Sequence, residues 1–246
     1  MMNETIKLLK NHRSIRKFEN RMVEEEKIKE IIECAQSAST SNFIQAYTII
    51  RINDKEKRKD IAILAGEQKY VEECPVFLVF CADLNRNKIA CNMNNKDMAE
   101  GYTESFILAT VDATLAAQNT LIAAESLGLG GVYIGGIRNN LEKINKMLKL
   151  PTNVYPVFGM CLGYPKGESN KKERLPLEVV LKTDEYSNDG DIEKLEEYDI
   201  RVSEYYRKRT NGERSDKWTS QISNLMSKPQ REYIRSVLEK QGFYMK

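Results

Sequence analysis

The chain is poor in the residues from which most catalytic centres are built. It has a single histidine, His12, which excludes a multi-histidine metal centre and leaves one imidazole for any Ser-His-Asp arrangement. Its five cysteines (Cys34, Cys74, Cys81, Cys91, Cys161) form no CxxC pair, and four lie in apolar or helical surroundings. That is the pattern of reduced thiols, not of a disulfide framework or a zinc site. The opening MMNETIKLLKNHRSIR contains no uninterrupted apolar h-region, so no secretion signal is expected and the protein is placed in the cytoplasm. An excess of one charge is missing too. The 38 Lys and Arg against 36 Asp and Glu leave +2, which argues against a protein that tracks nucleic acid and means that any anion bound is small.

What is present suits one sizeable domain: 246 residues, 41% hydrophobic and 30% charged. Residues 4 to 11 read as a short helix. In VEEEKIKEIIECAQSA, Ile28, Ile31, Ile32 and Ala35 fall at i, i+3, i+4, i+7, with Glu24, Glu25 and Glu26 at the positive N-terminal end. YTIIRI (47 to 52) and VFLVFCA (76 to 82) read as strands, and DKEKRKDIAILAG between them as a helix closing at Gly66. Residues 103 to 127 make the longest helix, rich in alanine for close approach, while Asp112, Gln118, Asn119 and Glu125 argue against a membrane span. A short strand after Gly128, a helix over 138 to 150 stopped by Pro151, and a core strand over 154 to 165 follow. Two helices before the first strand do not open a doubly wound fold, so layers of mixed α and β are expected. Beyond 165 the chain turns polar. Leu195, Tyr198, Val202 and Tyr205 keep a helical spacing, PQREYIRSVLEKQGF places Pro229 near a helix start, and residues 201 to 246 carry eleven Lys/Arg against five Asp/Glu.

The glycines Gly128, Gly130, Gly131, Gly135 and Gly136 do not make a dinucleotide fingerprint. A GxGxxG from Gly128 would need glycine at Tyr133, and the run passes from helix to strand instead of strand to helix. Gly128 reads as a helix cap and the others either as tight packing or, at Gly135 and Gly136, as backbone open to a flat ligand. HRSIRKF gathers His12, Arg13, Ser14, Arg16 and Lys17. It is either a solvated charge cluster at a helix end or an anion clamp in which Arg13, Ser14 and Arg16 hold a phosphomonoester. Lys172 and Arg174 in KKER offer a second anion candidate or an ordinary charged loop. SASTSNFIQA is either a polar turn or a set of donors, Ser39, Thr40, Ser41 and Gln45, for a polyol or a ring with several acceptors; GEQKY, with Gln68, reads the same way.

Taken in order, HRSIRKF, SASTSNFIQAYTIIRIND, AGEQKYV, AAQNTLIAAESLGLGGVYIGGIRNN, FGMCLGYP, KKERLP and EYYRKRTNGERSDKWTSQI resemble the flavin reductase P group of the nitroreductase family. That group comprises FMN-dependent, largely NADPH-linked, oxygen-insensitive nitroreductases and flavin reductases. The resemblance runs from about residue 3 to the C-terminus. It implies an α+β, nitroreductase-like sandwich with a central mixed sheet flanked by helices. Residues 1–165 would form the FMN-binding core, and 166–246 a loop and helical C-terminal excursion packing on the core and on the partner subunit, within a single domain overall. It also implies a homodimer entwined through long helices, FMN bound at the subunit interface, NADPH as cosubstrate, and small-molecule electron acceptors, with no nucleic-acid or membrane partner.

By position, the resemblance assigns FMN contacts to His12, Arg13, Ser14 and Arg16, to Ser39, Thr40, Ser41 and Gln45, and to Gln68 and Tyr70 flanking the ring. Tyr133, Ile134, Gly135 and Gly136 match the backbone stretch beside the ring, Lys172 and Arg174 reach phosphate and ring, and Arg209 and Arg214 match the pair associated with the NADPH phosphate. Hydride passes from NADPH to flavin and then to a nitroaromatic, a quinone or free flavin in a ping-pong sequence, so no protein residue need be catalytic and no metal is called for. A main role in supplying reduced flavin is the nearest alternative; a His12-dependent hydrolase and a non-enzymatic anion- or RNA-binding module using the basic C-terminal segment are remoter ones. The chain departs from the family pattern over roughly 90 to 104, where it is a few residues longer. The resemblance therefore does not extend to the approach to the pocket or to the preferred acceptor.

Overall fold

The computed structural model describes residues 3–167 and 170–246; Glu168 and Ser169, inside the polar stretch that follows residue 165, lie outside them. The chain divides into two compact units, Met1–Ser169 with Arg231–Lys246, and Asn170–Gln230.

The first unit runs α1 (Glu4–Lys10), α2 (Glu25–Gln36), β1 (Tyr47–Arg51), α3 (Lys55–Leu64), α4 (Lys69–Glu73), β2 (Val76–Asp83), α5 (Asn85–Met93), α6 (Thr103–Ser126), β3 (Gly130–Ile134), α7 (Leu141–Leu148) and β4 (Val154–Gly163). All eight residues of β2 are buried, as a continuous apolar run implies for a strand covered on both faces. The period of two sorts them. Phe77 and Val79 join Ile61 of α3 and Ile144 of α7 on one face, while Leu78 and Phe80 join Ile31 of α2 and Leu121 of α6 on the other.

The strand order is β1-β2-β4-β3, and each neighbouring pair is antiparallel. This corrects the expected mixed sheet. β2 and β3 do run the same way, but β4 lies between them, so the parallel relation never becomes a hydrogen-bonded pairing. The ladder shifts register between Phe80 and Cys81, where Phe80 faces Phe158 and Cys81 faces Pro156. Pro156 has no N–H to give to an interior ladder, and a bulge is where such a residue is tolerated. The bulged Val157 offers its carbonyl to the Arg138 guanidinium.

The alanine-rich α6 is about 36 Å long at 1.5 Å per residue, and its buried Ala109, Ala113, Ala116 and Ala117 let it lie close to the sheet. It stops at Gly128, which has φ +78 and no atom within 4 Å of a built Cβ, so the backbone alone requires glycine there. The stretch near 90 to 104 holds the end of α5 and a loop tied to the chain's end: the Lys246 N–H donates to the Gly101 carbonyl (2.8 Å), and Lys88 pairs with Glu100 (2.5 Å).

The second unit contains α8 (Leu177–Val180), α9 (Asp191–Arg209) and α10 (Trp218–Met226). Buried Asp199 of α9 accepts the Thr219 N–H (2.9 Å), fixing the first turn of α10. After Gln230 the chain rejoins the first unit in α11 (Ile234–Lys240), whose Val237 and Leu238 pack with Phe243, Leu141 and Tyr155. α11 starts five residues beyond Pro229, not beside it, because Arg231 is left-handed (φ +51) and breaks the run.

Candidate functional site

HRSIRKF is not the end of a helix. α1 stops at Lys10, and the segment lies along the edge of the sheet: the Ile15 N–H donates to the Gly131 carbonyl of β3 (2.9 Å), and the Glu19 N–H to the Tyr164 carbonyl (2.9 Å). Ile15 is buried where a Cβ on Gly130 would come within 2.4 Å of its Cγ1. Arg13, Ser14, Arg16 and Lys17 are exposed around that anchor. The His12 Nδ1 sits 2.6 Å from the Glu125 carboxylate in the last turn of α6. Four basic side chains are thus presented from a pinned backbone.

The hydroxyl-rich loop is held by a residue that residue-type reasoning overlooked. Asp112 on α6 is fully buried, and its two oxygens accept the N–H groups of Ser41 (3.1 Å) and Ala46 (3.0 Å). Within that span Asn42, Phe43 and Gln45 all have positive φ (46, 59 and 54). Backbone strain of this kind persists only where neighbouring structure imposes it, and it concentrates at ligand sites. Ser39, Ser41 and Gln45 are exposed, and the buried Thr40 hydroxyl has no hydrogen-bond partner among the described residues. The signal for Asp112 lay in its position: it falls three residues after Ala109 and four before Ala116, on the buried alanine face where a carboxylate must have partners.

Gln68 and Tyr70 form a pair, the Tyr70 hydroxyl donating to Gln68 Oε1 (2.8 Å) while Gln68 Nε2 donates to the Ala65 carbonyl (3.0 Å). A Cβ on Gly136 would stand 2.2 Å from that carbonyl and 2.8 Å from Gln68 Nε2, so Gly136 is the packing glycine of the two. At Gly135 only the Arg138 guanidinium comes near, at 3.4 Å, and the backbone there stays open. Ile134 is buried on one face of β3, and Tyr133 on the other reaches Gln118 of α6 (3.3 Å) and stands edge-on to Phe158. Burial pushes the Tyr133 phenol well above its ordinary value, so it stays a neutral hydroxyl. β3 and the turn after it therefore join two groups. The basic segment meets it at Gly131 and the Gln68–Tyr70 pair at Gly136, just past the end of the strand.

The four remaining candidates, Lys172, Arg174, Arg209 and Arg214, all belong to the second unit. There Lys172 Nζ donates to the Tyr206 hydroxyl (3.4 Å), the Arg214 guanidinium lies over the Tyr206 ring (4.6 Å), and Arg209 donates to the Tyr205 hydroxyl (3.4 Å). Lys172 and Arg174 line a cavity of about 490 Å³ with Tyr198, Tyr205, Tyr206 and Trp218.

Comparisons with known proteins agree along the whole chain. A family model described as "Nitroreductase family" matches residues 9–164, and one described as "Nitroreductase family, C-terminal domain" matches 172–246. An "FMN reductase (NADPH)" of Bacillus subtilis is 44% identical over 246 residues, 98% of this chain and 99% of that protein. An "Oxygen-insensitive NADPH nitroreductase" of Salmonella typhimurium is 44% identical over 242 residues, again 98% and 99%. Among solved structures, NfrA1 of B. megaterium superposes with a TM-score of 0.95 at 47% identity, covering 98% of this chain and all of that one.

Proposed function

This chain belongs to the nitroreductase family, and on that premise we propose that it is an FMN-dependent oxidoreductase that takes hydride from NADPH and passes it to a nitroaromatic, a quinone or free flavin. The observation that carries the reading is the span of β3, with an anion-binding segment at one end and an open backbone beside a fixed amide at the other. A mononucleotide with a phosphate at one end and a planar ring at the other suits that span. The orphaned Thr40 hydroxyl and the open Gly135 backbone suit it as well. When bound, FMN supplies the two-electron chemistry.

The chain's own residues bind and orient. Arg13 and Arg16 carry permanently charged forks that bond a phosphomonoester bidentately, and Ser14 adds a hydroxyl donor. With Nδ1 of His12 on Glu125, Nε2 is the ring nitrogen left to the cofactor. Ser39, Thr40, Ser41 and Gln45 serve the polyol and ring acceptors from a loop whose backbone Asp112 fixes. Gln68, held by Tyr70, flanks the ring, beside the backbone from Tyr133 to Gly136. Lys172 and Arg174 would bring positive charge to the phosphate and ring of the cofactor, and Arg209 and Arg214 would receive the NADPH phosphate. The relatives named for NADPH support this choice of donor.

The protein works as a homodimer in this reading. Ile107, Val111 and Leu115 recur every four residues along α6 and are 48%, 47% and 41% exposed, an apolar stripe that a second subunit would cover. The five free thiols support the cytoplasmic placement. The purified protein should be yellow, with FMN released on denaturation, and should be bleached anaerobically by NADPH faster than by NADH. A colourless preparation that cannot be reconstituted with FMN would sink the proposal.

A further inference from the structure

None of the binding steps above uses a polar cluster buried at the end of α4. Arg58 of α3 is only 9% exposed, yet it pairs with no carboxylate among the described residues. Its guanidinium donates instead to the Val71 carbonyl (3.4 Å), the Cys74 carbonyl and the Cys74 sulfur (2.9 Å). A buried cation needs an anion beside it, and of these three partners only the Cys74 sulfur can become one. A second sulfur lies next to it. The Tyr70 carbonyl accepts both the Cys74 N–H (3.1 Å) and the Cys161 thiol of β4 (3.5 Å), and the two cysteine side chains hydrogen-bond each other. Burial disfavours ionisation of Cys74, but the Cys161 hydrogen bond and the Arg58 charge outweigh it and hold that thiol below its ordinary value. Burial and the neighbouring sulfur push Cys161 the opposite way. One sulfur is therefore a nucleophile and the other a protonated partner.

We propose that Cys74 and Cys161 form an oxidation site for hydrogen peroxide, at which the two sulfurs join reversibly as a disulfide. Both are almost fully enclosed, 1% and 0% exposed, so the oxidant is small and uncharged. The Cys74 thiolate attacks one peroxide oxygen; the S–O bond forms, the O–O bond breaks and hydroxide leaves. The Cys161 sulfur then displaces the new hydroxyl, which departs as water with the Cys161 proton. Two electrons pass from the sulfurs to the peroxide. The new bond takes the Cys161 S–H from the Tyr70 carbonyl and the counter-ion from Arg58, at the end of a five-residue helix whose cap is Gln68. Oxidation thereby loosens the Gln68–Tyr70 pair and, resting on the FMN reading above, weakens retention of the cofactor.

The test adds hydrogen peroxide to the native, FMN-loaded protein, alkylates the remaining thiols in denaturant and maps the peptides. The expected product is a Cys74–Cys161 cross-link reversed by dithiothreitol, while Cys34 and Cys91 are recovered alkylated although both are more exposed. Exposure alone predicts the opposite order, so oxidation of Cys34 or Cys91 ahead of Cys74 would overturn the proposal. A Cys74 sulfenic acid that never joins Cys161 would overturn it as well. Arg58→Met should slow the oxidation of Cys74 about tenfold, the change in thiolate fraction for roughly one unit of pKa, and an unchanged rate in the folded variant would count against the proposal with equal force. The wild-type map needs no variant and decides alone if Arg58→Met does not fold. Cross-linked protein should lose FMN on dialysis faster than the reduced form, and equal retention would overturn the coupling to Gln68. A cross-link in a protein that never binds FMN would keep the dithiol site and lose the oxidoreductase reading.

Discussion

Two carboxylates that touch no proposed ligand do much of the positioning. Asp112 is the acceptor for two loop N–H groups, and Asp112→Ala leaves the buried Ala46 N–H and the part-buried Ser41 N–H without that acceptor, an expected loss of about 1–3 kcal/mol in a denaturant melt. Asp112→Asn keeps one acceptor oxygen and should fall between, with FMN affinity declining in the same order. Glu24 gives a pH signature. The Tyr164 hydroxyl, donating to its carboxylate (2.6 Å), is the largest cause, with Arg21 assisting, and together with the Glu24 backbone they bring its pKa from 4.5 to about 2. A lowered carboxylate value stabilises fully above the unfolded value, and that contribution fades as the pH falls from about 4.5 towards 2. Tyr164→Phe should move the Glu24 midpoint back up in an NMR titration and flatten the acid arm of the Tm–pH curve. At this scale the sequence was only half legible. The residue types of HRSIRKF left an anion clamp and a solvated charge cluster both open, and Glu125 lies 113 positions from His12 and Asp112 lies 66 from Ala46. No local pattern joins residues so far apart.

Among the elements, β2 and α2 were readable because period and burial agree along them, whereas α11 and the 3-10 turn Gly135–Asn140 depend on a single backbone angle or on a distant neighbour. α6 carries the clearest element-level prediction. Its inner face of alanines and Asp112 meets the core, while its outer stripe of Ile107, Val111 and Leu115 is left exposed. Val111→Glu should leave the fold of the subunit intact, because the residue is 47% exposed, and should convert the protein to monomers in sedimentation velocity. A dimer that persists in that variant would mean that α6 is not the interface.

For the whole molecule, the division into two units suggests a division of labour that mutation can separate. Arg13→Ala and Arg16→Ala each remove one arm of the phosphate clamp, a charge-assisted bond of about 1.5–3 kcal/mol, and should lose FMN on dialysis. Arg209→Ala lies in the other unit and should stay yellow while its KM for NADPH rises. Identical behaviour of the two classes would collapse the distinction between cofactor and cosubstrate arginines. The sequence by itself determined the α+β class and the family, because periodicity, turn residues and short motifs are local and survive without a fold. Only the tertiary structure decided that the sheet is antiparallel throughout, that β3 links the basic segment to Gln68, that Asp112 holds the strained loop, and that Lys172 and Arg214 meet on one tyrosine. Each of these is a relation between residues far apart in the chain, fixed by packing and by the need of buried polar groups for partners.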